Sequence, residues 1–304
     1  MRSAQVRLLS LEPTALVPLS AARVVHLRRV LDPLYEHFPY EVRREADPVQ
    51  YVHRYERIAD RELVALLSAS LAYGRAAQFL PKLAQLFEWM DERGGPAGVV
   101  SRMESHRADP FFQRWRHRVT GGETLLQLLL SLQRLLDEQG GLEPALAVSL
   151  REGAETVGVL LSCFVRRLYA LSPEPPSRAL KHLIPDPASG SACKRLNLFL
   201  RWMVRHQPGL EPGGWTMIPS SWLVLPLDTH TLRMSYNLGL TQRTDQSWRT
   251  ALEVTARLRQ LDPHDPVKYD FALCHLGMAG DCPARRQDAI CHRCALKGSC
   301  CWWE

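Results

Sequence analysis

Long apolar runs are missing from this sequence, which argues against a membrane protein. No apolar segment in the 304 residues reaches the roughly 20 residues that a membrane-spanning helix needs. Residues 1–20 also lack the form of a signal peptide, because Pro13 and Pro18 interrupt the apolar run and no clear small-residue cleavage site follows. We therefore expect a cytoplasmic protein that does not associate with membranes.

The sequence also lacks the patterns that indicate sheets and solenoids. No segment alternates apolar and polar residues for long, and no internal repeat recurs at a solenoid period. Helical periods are present instead. Apolar residues recur at helical spacing through residues 60–90, with a break near Tyr73-Gly74, and again through residues 125–136 and 157–171. The sequence predicts a mostly α fold.

Length and composition favour two compact parts. With 46% apolar and 23% charged residues, the chain can bury a sizeable core. Segments rich in proline and glycine lie at 172–190 and 207–226, and the second is the better boundary. We predict two helical subdomains flanking a cleft. One is formed by residues 50–206, and the other is a terminal domain formed by residues 1–49 together with 207–304.

The charge of the chain is compatible with a nucleic-acid partner without being diagnostic of one. The formal net charge is +6 and the sequence pI is about 9.0. Residues 151–304 carry 19 Lys and Arg against 14 Asp and Glu, so most of the excess lies in the second half. The basic bias is suggestive only.

Four cysteines near the C-terminal end have the spacing of a metal site. Cys282, Cys291, Cys294 and Cys300 are separated by eight, two and five residues, and the two-residue gap lets two thiolates bind one centre from a tight turn. Cys301 is an alternative fourth ligand. Disulfides would require an oxidising compartment, which residues 1–20 do not indicate. The spacing predicts a metal site and leaves zinc and an iron-sulfur cluster open.

A basic helix is predicted to begin after Gly190. Lys194, Arg201 and Arg205 share one face of it, and no acidic residue occurs between 191 and 205. The simplest interpretation is a solvated helix face. However, residues 184–191 form a turn rich in Pro and Gly, so the first backbone N–H groups of the helix can point at a phosphate.

Asp228 precedes a second amphipathic helix. The simplest interpretation is an N-cap whose carboxylate accepts backbone hydrogen bonds. An aspartate held in this way stays ionised, and such a carboxylate facing a cleft can stabilise an electron-poor sugar carbon. Asp228 can therefore serve as both N-cap and catalytic group.

These segments together resemble the endonuclease III branch of the helix-hairpin-helix DNA glycosylases. Residues 190–197 (GSACKRLN) resemble the hairpin and nucleophilic lysine helix of that family, and residues 227–230 (LDTH) resemble its catalytic aspartate segment. The spacing from 291 to 300 is similar to its iron-sulfur loop, and residues 62–69 resemble an early helix. The resemblance covers roughly residues 60–90 and 180–304. As a whole, the chain resembles a bacterial family of unknown function within this superfamily.

Two features depart from the family pattern. The segment 184–190 is longer than the family hairpin and has one glycine, and the interval between Lys194 and Asp228 is longer than in endonuclease III. An archaeal 8-oxoguanine glycosylase branch has a similarly long interval, which makes an oxidised purine the favoured substrate and an oxidised pyrimidine the next.

The resemblance implies a base-excision glycosylase with AP lyase activity. Lys194, with a pKa lowered by burial beside Arg195 and Arg201, would attack C1′ of a flipped damaged nucleotide, and Asp228 would stabilise the charge on the sugar. The four cysteines would hold a 4Fe-4S cluster. The partner would be double-stranded DNA with a damaged base or abasic site, bound by a monomer at the nucleoid. The expected DNA contacts are Gly190, Ser191, Arg195, Arg201, Arg205, His230, Arg285 and Arg286.

A second hypothesis assumes the same helical scaffold without catalytic activity on DNA. The chain would then be a non-catalytic iron-sulfur or zinc protein that binds nucleic acid, or one that acts on RNA. Binding that is sensitive to salt, without released base or a trapped adduct, would distinguish it from the enzyme.

Overall fold

The computed structural model describes residues 16–303. The fold is mostly helical, as predicted, and a two-stranded antiparallel hairpin is the one sheet within that range. None of the helices in the described range is both long and apolar enough to cross a membrane. The α-helices, in chain order, are α1 Ala21–Glu36, α2 Tyr40–Arg44, α3 Ile58–Leu71, α4 Ala76–Asp91, α5 Gly95–Val100, α6 Phe111–Arg114, α7 Gly122–Gln139, α8 Leu142–Arg151, α9 Val157–Ala170, α10 Arg178–Leu183, α11 Lys194–Val204, α12 Thr229–Asn237, α13 Trp248–Leu261, α14 Asp270–Met278 and α15 Asp288–Cys291.

Short elements connect these helices. The strands are β1 Arg116–His117 and β2 Thr120–Gly121, and the 3-10 helices are Pro48–Arg54, Met103–His106, Pro187–Ser189, Ser220–Trp222 and Lys297–Ser299.

The predicted helical segments are confirmed. The period through residues 60–90 corresponds to α3 and α4, and they are separated at Gly74, whose φ of +87° favours glycine. The patterns at 125–136 and 157–171 fall in α7 and α9. The apolar period therefore located these four helices correctly.

Helix α3 is the centre of the core. Leu63, Leu66 and Leu67 are fully buried, and the helix is buried almost all round, as expected for a helix whose apolar residues are not confined to one stripe. It packs against the 3-10 helix Pro48–Arg54 and against α11. The helix that begins at Lys194 is therefore packed directly against the buried centre of the core.

The N-terminal helix packs on the C-terminal part of the chain. Arg23 Nη2 on α1 donates to the carbonyl oxygens of Leu238 at 3.0 Å and Ser299 at 2.9 Å. Asp32, also on α1, accepts a hydrogen bond from the Tyr269 hydroxyl and pairs with Lys268. A terminal domain built from both chain ends requires contacts of this kind.

The predicted domain division, at residues 50 and 207, stays a prediction. The first fifteen residues of the predicted terminal domain, including Pro13, lie outside the described residues, and so does Glu304.

Candidate active site

A left-handed turn precedes the helix that carries Lys194. Gly190 has a φ of +89° and Cys193, the residue before α11, has a φ of +48°, which is uncommon for a residue other than glycine. The Trp248 backbone N–H donates to the Gly190 carbonyl oxygen at 2.9 Å. Gly190 is exposed and Ser191 half-buried. The turn therefore has the predicted position, and phosphate binding by Gly190 and Ser191 stays a prediction.

The Cys193 thiol has a structural role at this turn. The side chain is buried and donates to the Pro185 carbonyl oxygen at 3.3 Å. Burial raises the pKa of Cys193 to about 12. Such a thiol stays protonated at neutral pH, as is usual for a buried structural cysteine.

Asp228 is the N-cap of α12, as predicted. Its Oδ1 accepts from the backbone N–H groups of His230 and Thr231, both at 2.8 Å. The Thr231 hydroxyl accepts from the Asp228 backbone N–H at 2.8 Å, which completes a capping box. These bonds use one carboxylate oxygen and leave Oδ2 free to meet another side chain.

That second oxygen meets Lys194. The distance from Lys194 Nζ to Asp228 Oδ2 is 2.8 Å, although the two residues are 34 positions apart. The Lys194 side chain is 34% exposed and that of Asp228 is 15% exposed. Burial raises the pKa of Asp228, but Lys194 and the Thr231 N–H more than offset it, so the pKa is lowered overall. Asp228 is therefore ionised, as predicted.

The expected lowering of the Lys194 pKa is wrong. Burial lowers the pKa of Lys194, but the charge and hydrogen bond of Asp228, followed by the charge of Asp47, outweigh burial and raise it above the ordinary lysine value. The sequence showed only the cationic neighbours on the same helix, Arg195 and Arg201. The acidic neighbours come from other elements, so Lys194 is an ammonium ion in the resting protein.

The pair lies in a cleft of about 460 Å³. One wall is formed by the turn between α3 and α4, including Tyr73 and Gly74. The opposite wall is formed by α14, including Phe271 and Cys274. Aromatic and sulfur-containing walls around a charged pair are suited to an organic ligand with a flat apolar part and a polar edge.

Arg201 and Arg205 do not form the expected exposed DNA-binding face, and this prediction is wrong. Their side chains are 3% and 5% exposed. Glu211 pairs with both arginines, Asp270 pairs with Arg201, and Asp265 pairs with Arg205. Carboxylates from elsewhere in the chain neutralise both guanidinium groups, although Arg201 also lines the cleft described above.

Two other predicted DNA contacts line the cleft. Arg195 is half-buried, donates to the Ser70 carbonyl oxygen at 3.3 Å, and places its guanidinium carbon 5.4 Å from the centre of the Tyr73 ring. Burial lowers the pKa of Arg195. His230 is half-buried, and its Nδ1 is buried without a hydrogen-bond partner in the described part of the chain.

The four predicted cysteine ligands are all at least half-buried in the segment that follows α14. Cys282 and Cys291 are buried, and Cys294 and Cys300 are half-buried. Burial raises the pKa of Cys294, and the neighbouring thiols Cys282, Cys300 and Cys291 raise it further. Across residues 16–303, however, no group of three or more His, Cys, Asp or Glu side chains is arranged to hold a metal ion. The metal site stays a prediction.

The cysteine loop also contains the last two predicted DNA contacts. Arg285 and Arg286 are both exposed. Arg286 bonds to Asp288 at 2.8 Å, and its guanidinium carbon is 3.8 Å from the centre of the Trp303 ring. Arg286 is thus partly committed to contacts within the loop.

Sequence reasoning missed two residues of the cleft. The Cys274 thiol is 3.8 Å from Asp228 Oδ2, and Asp47 lines the cleft as the N-cap of the 3-10 helix Pro48–Arg54. Burial, followed by the charge of Asp228, raises the pKa of Cys274 to about 12. Asp47-Pro48 has the form of a helix start, but nothing in the sequence indicated that it lies opposite Lys194.

Comparisons with known proteins give one match. No curated protein matches the chain, and neither does any solved structure. A family model described as a protein of unknown function, DUF2400, matches residues 47–279. That span contains Lys194 and Asp228 and ends before Cys282. The chain therefore belongs to the DUF2400 family.

Proposed function

We propose that this protein is a base-excision DNA glycosylase with AP lyase activity. The observation that carries the proposal is the 2.8 Å contact between Lys194 Nζ and Asp228 Oδ2 in a cleft. A lysine and an aspartate from the starts of two different helices meet where a ligand can reach both. A nucleophilic amine beside a carboxylate is the pair that imine-forming base excision needs.

The chemistry begins with a proton transfer. Since Lys194 is an ammonium ion at rest, it passes a proton to Asp228 before it acts. The free amine then forms a bond to C1′, the bond from C1′ to the base breaks, and the base leaves with the electron pair and takes a proton from Asp228. As the C1′–O4′ bond breaks, O4′ takes one of the two protons on the nitrogen bound to C1′, which leaves a protonated Schiff base on Lys194. Asp228, a carboxylate again, then takes a C2′ proton, and the C3′–O bond breaks so that the 3′ phosphate leaves with the electron pair and the strand is cut.

The substrate is a damaged base in double-stranded DNA. Such a base must leave the stack to reach Lys194, which costs a few kcal/mol and least for a damaged or mispaired base. The cleft volume of about 460 Å³ lies in the range of pockets that hold small organic ligands. Tyr73, which is half-buried, gives the wall an aromatic surface on which a base can stack. An oxidised purine is the favoured substrate, and an oxidised pyrimidine is the next.

Borohydride trapping tests the proposal. The full chain is incubated with duplex DNA containing an abasic site or an oxidised purine, and borohydride reduces any Schiff base to a stable crosslink. We expect a crosslink with the natural protein and none with Lys194→Ala. Lys181→Ala, an exposed lysine on α10, is the matched control and should trap normally. Crosslinking by Lys194→Ala at the natural level would overturn the assignment.

The raised pKa of Lys194 favours a second candidate, a nucleic-acid-binding protein without chemistry. In that case the ammonium group would stay paired with Asp228 and contact phosphate as a charge. The natural protein would then bind DNA or RNA in a salt-sensitive way, with no released base and no crosslink. The same trapping experiment separates the two functions.

We also propose a 4Fe-4S cluster on Cys282, Cys291, Cys294 and Cys300. The spacing of these four cysteines supports the proposal, since the two-residue gap lets two thiolates bind one centre from a tight turn. Such a cluster would hold the loop that carries Arg285 and Arg286. The Cys301 backbone N–H bonds to the Asn237 carbonyl oxygen at 2.8 Å, and Cys301 is the alternative fourth ligand.

Colour and metal content test the cluster. A purified protein with an iron-sulfur cluster is yellow-brown, whereas a zinc protein is colourless. We expect Cys294→Ser and Cys300→Ser to lose the colour and the iron, and Cys301→Ser to keep both. Zinc in place of iron would support the alternative cofactor, and absence of both metals would overturn the site.

A further inference from the structure

The β-hairpin formed by β1 and β2 is hydrogen-bonded to the wall of the cleft. The His117 Nε2 donates to the Tyr73 carbonyl oxygen at 2.9 Å, and the Tyr73 hydroxyl is 2.7 Å from both the His117 carbonyl oxygen and the Thr120 hydroxyl. His117 and Thr120 are buried. Tyr73 itself lines the cleft, so the hairpin is held in a fixed position at the cleft rim.

The outward face of this hairpin is basic. Arg116 and Arg118 lie two positions apart on a strand and its turn, and both are exposed. Residues 110–122 contain no acidic residue. Arg75, at the start of α4, is also exposed. Within the described range, none of these three arginines has a carboxylate within 4.0 Å. They contrast with Arg201 and Arg205, which are buried and paired with carboxylates.

The hairpin turn reaches the cleft rim directly. A Cβ atom added to Gly74 would lie 2.5 Å from Arg118 Nη1, so the Arg118 side chain crosses the Gly74 backbone where that glycine lines the cleft. Arg118 has a φ of +52°, which is uncommon for a residue other than glycine. The next residue, Val119, is apolar and 63% exposed at the hairpin tip.

We propose that this hairpin and Arg75 form a DNA-binding arm, with the three arginines on backbone phosphates beside the cleft and Val119 against the base step opened by the extruded nucleotide. Exposed guanidinium groups without protein carboxylates are suited to phosphodiester oxygens. An exposed apolar side chain at the tip of a rigid hairpin is suited to an unstacked base step. The arm deepens the proposed function and rests on it, because the cleft must receive a nucleotide.

Binding measurements on the full chain test the arginines. The probe is a labelled duplex with a tetrahydrofuran abasic analogue, which cannot form a Schiff base. The variant is Arg116→Gln with Arg118→Asn, since asparagine tolerates a positive φ. The matched control, Arg29→Gln with Arg151→Gln, removes the same charge from exposed positions on α1 and α8.

We expect the arm variant to bind roughly tenfold more weakly and its salt dependence to flatten by about 1.8, or about 0.9 for each lost phosphate contact. The control should bind as the natural protein does. Equal effects of the two variants would overturn the arm, and so would an arm-dependent affinity for anionic vesicles or acidic peptides without any for DNA.

A fluorescence measurement tests the role of Val119 separately. With 2-aminopurine placed next to the analogue, an unstacked base fluoresces more strongly. We expect Val119→Ser to reduce this fluorescence increase severalfold while the salt dependence stays unchanged. An unchanged fluorescence increase would remove Val119 from the proposal.

The arm and the enzyme can fail separately. If the natural protein traps abasic DNA but the arm and control variants bind alike, the arm fails and the glycosylase proposal stands. If binding depends on the arm but the natural protein forms no crosslink, the arm stands and the glycosylase proposal fails.

Discussion

The two ends of helix α11 carry the same charge on the same helical face and have opposite surroundings. At its start, Lys194 is 34% exposed and paired with Asp228 in a cleft. Towards its end, Arg201 and Arg205 are 3% and 5% exposed and paired with the buried Glu211 and with further acids. Helical spacing shows which side chains share a face. It does not show which other elements pack against that face, and those elements decide the role of each charged side chain.

The difference between the two ends is one of access. A buried ion pair cannot exchange its partner for water without leaving a charge in a medium of low dielectric constant. The pair of Lys194 and Asp228 has solvent on one side, so its proton can move and a ligand can replace one partner. Burial makes one end structural, and access leaves the other end open to a ligand.

Removing the charge of Glu211 should have the largest effect on stability. Glu211 is fully buried and pairs with both Arg201 and Arg205. We expect Glu211→Gln to lower the free energy of unfolding by about 3–5 kcal/mol, because two buried guanidinium groups lose a shared carboxylate. Urea denaturation followed by circular dichroism measures this change.

The control is an exposed ion pair of good geometry. Glu138 and Arg167 are 2.7 Å apart, and both side chains are 41% exposed. Glu138→Gln should cost at most about 1 kcal/mol, because solvent screens an exposed pair. Equal losses in the two variants would show that the end of α11 is not the buried structural network described above.

Asp265 offers an intermediate case. It accepts from Arg205 Nε at 2.9 Å and from Nη2 at 2.8 Å, but its side chain is 26% exposed. We expect Asp265→Asn to lower the free energy of unfolding by about 1–3 kcal/mol, because Arg205 keeps Glu211 and water can replace part of what is lost. A loss as large as that of Glu211→Gln would contradict the graded effect of burial.

Much of the fold could be predicted from the sequence. The apolar period of residues 60–90 located α3 and α4, and the break between them falls at Gly74, where the backbone requires a positive φ. The N-cap at Asp228 was predictable because capping depends on a few neighbouring residues. These features are local, and local patterns are what one sequence contains.

The electrostatics of the site could not be predicted in the same way. The acids that raise the Lys194 pKa include Asp47 and Asp228, which lie on separate elements far along the chain. The acids that cover Arg201 lie at positions 211 and 270. Without knowing which elements pack together, one sees the cations along α11 and misses the carboxylates supplied by other elements.

Asp228→Asn should have the smallest effect on stability and the sharpest effect on pH dependence. Asparagine is as good an N-cap as aspartate, so the capping box persists. The lost charge pair is partly screened because a third of the Lys194 side chain is exposed, and we expect a loss of at most about 1 kcal/mol. Urea denaturation across the pH range measures it.

The pKa shifts determine how this loss of stability depends on pH. Asp228 has a lowered pKa in the folded protein, so its stabilisation exists above its unfolded pKa and is lost as the pH falls through the folded value. Lys194 has a raised pKa, so its stabilisation exists below its unfolded pKa and is lost as the pH rises through the folded value. The difference between natural protein and variant should form a plateau at neutral pH that declines at both the acid and the alkaline end.

Asp245→Asn is the matched control, because hydrogen bonding to Ser247 lowers the Asp245 pKa and no lysine pairs with it among residues 16–303. Its difference curve should decline at the acid end alone.

In the trapping assay, the pH midpoint for Asp228→Asn should move downward, since the negative charge that raises the Lys194 pKa is gone, even as the maximal rate falls. If the difference curves of both variants declined at alkaline pH, or if the pH midpoint of trapping did not move, Asp228 would not control the protonation of Lys194. The contrast between the two ends of α11 would then rest on burial alone.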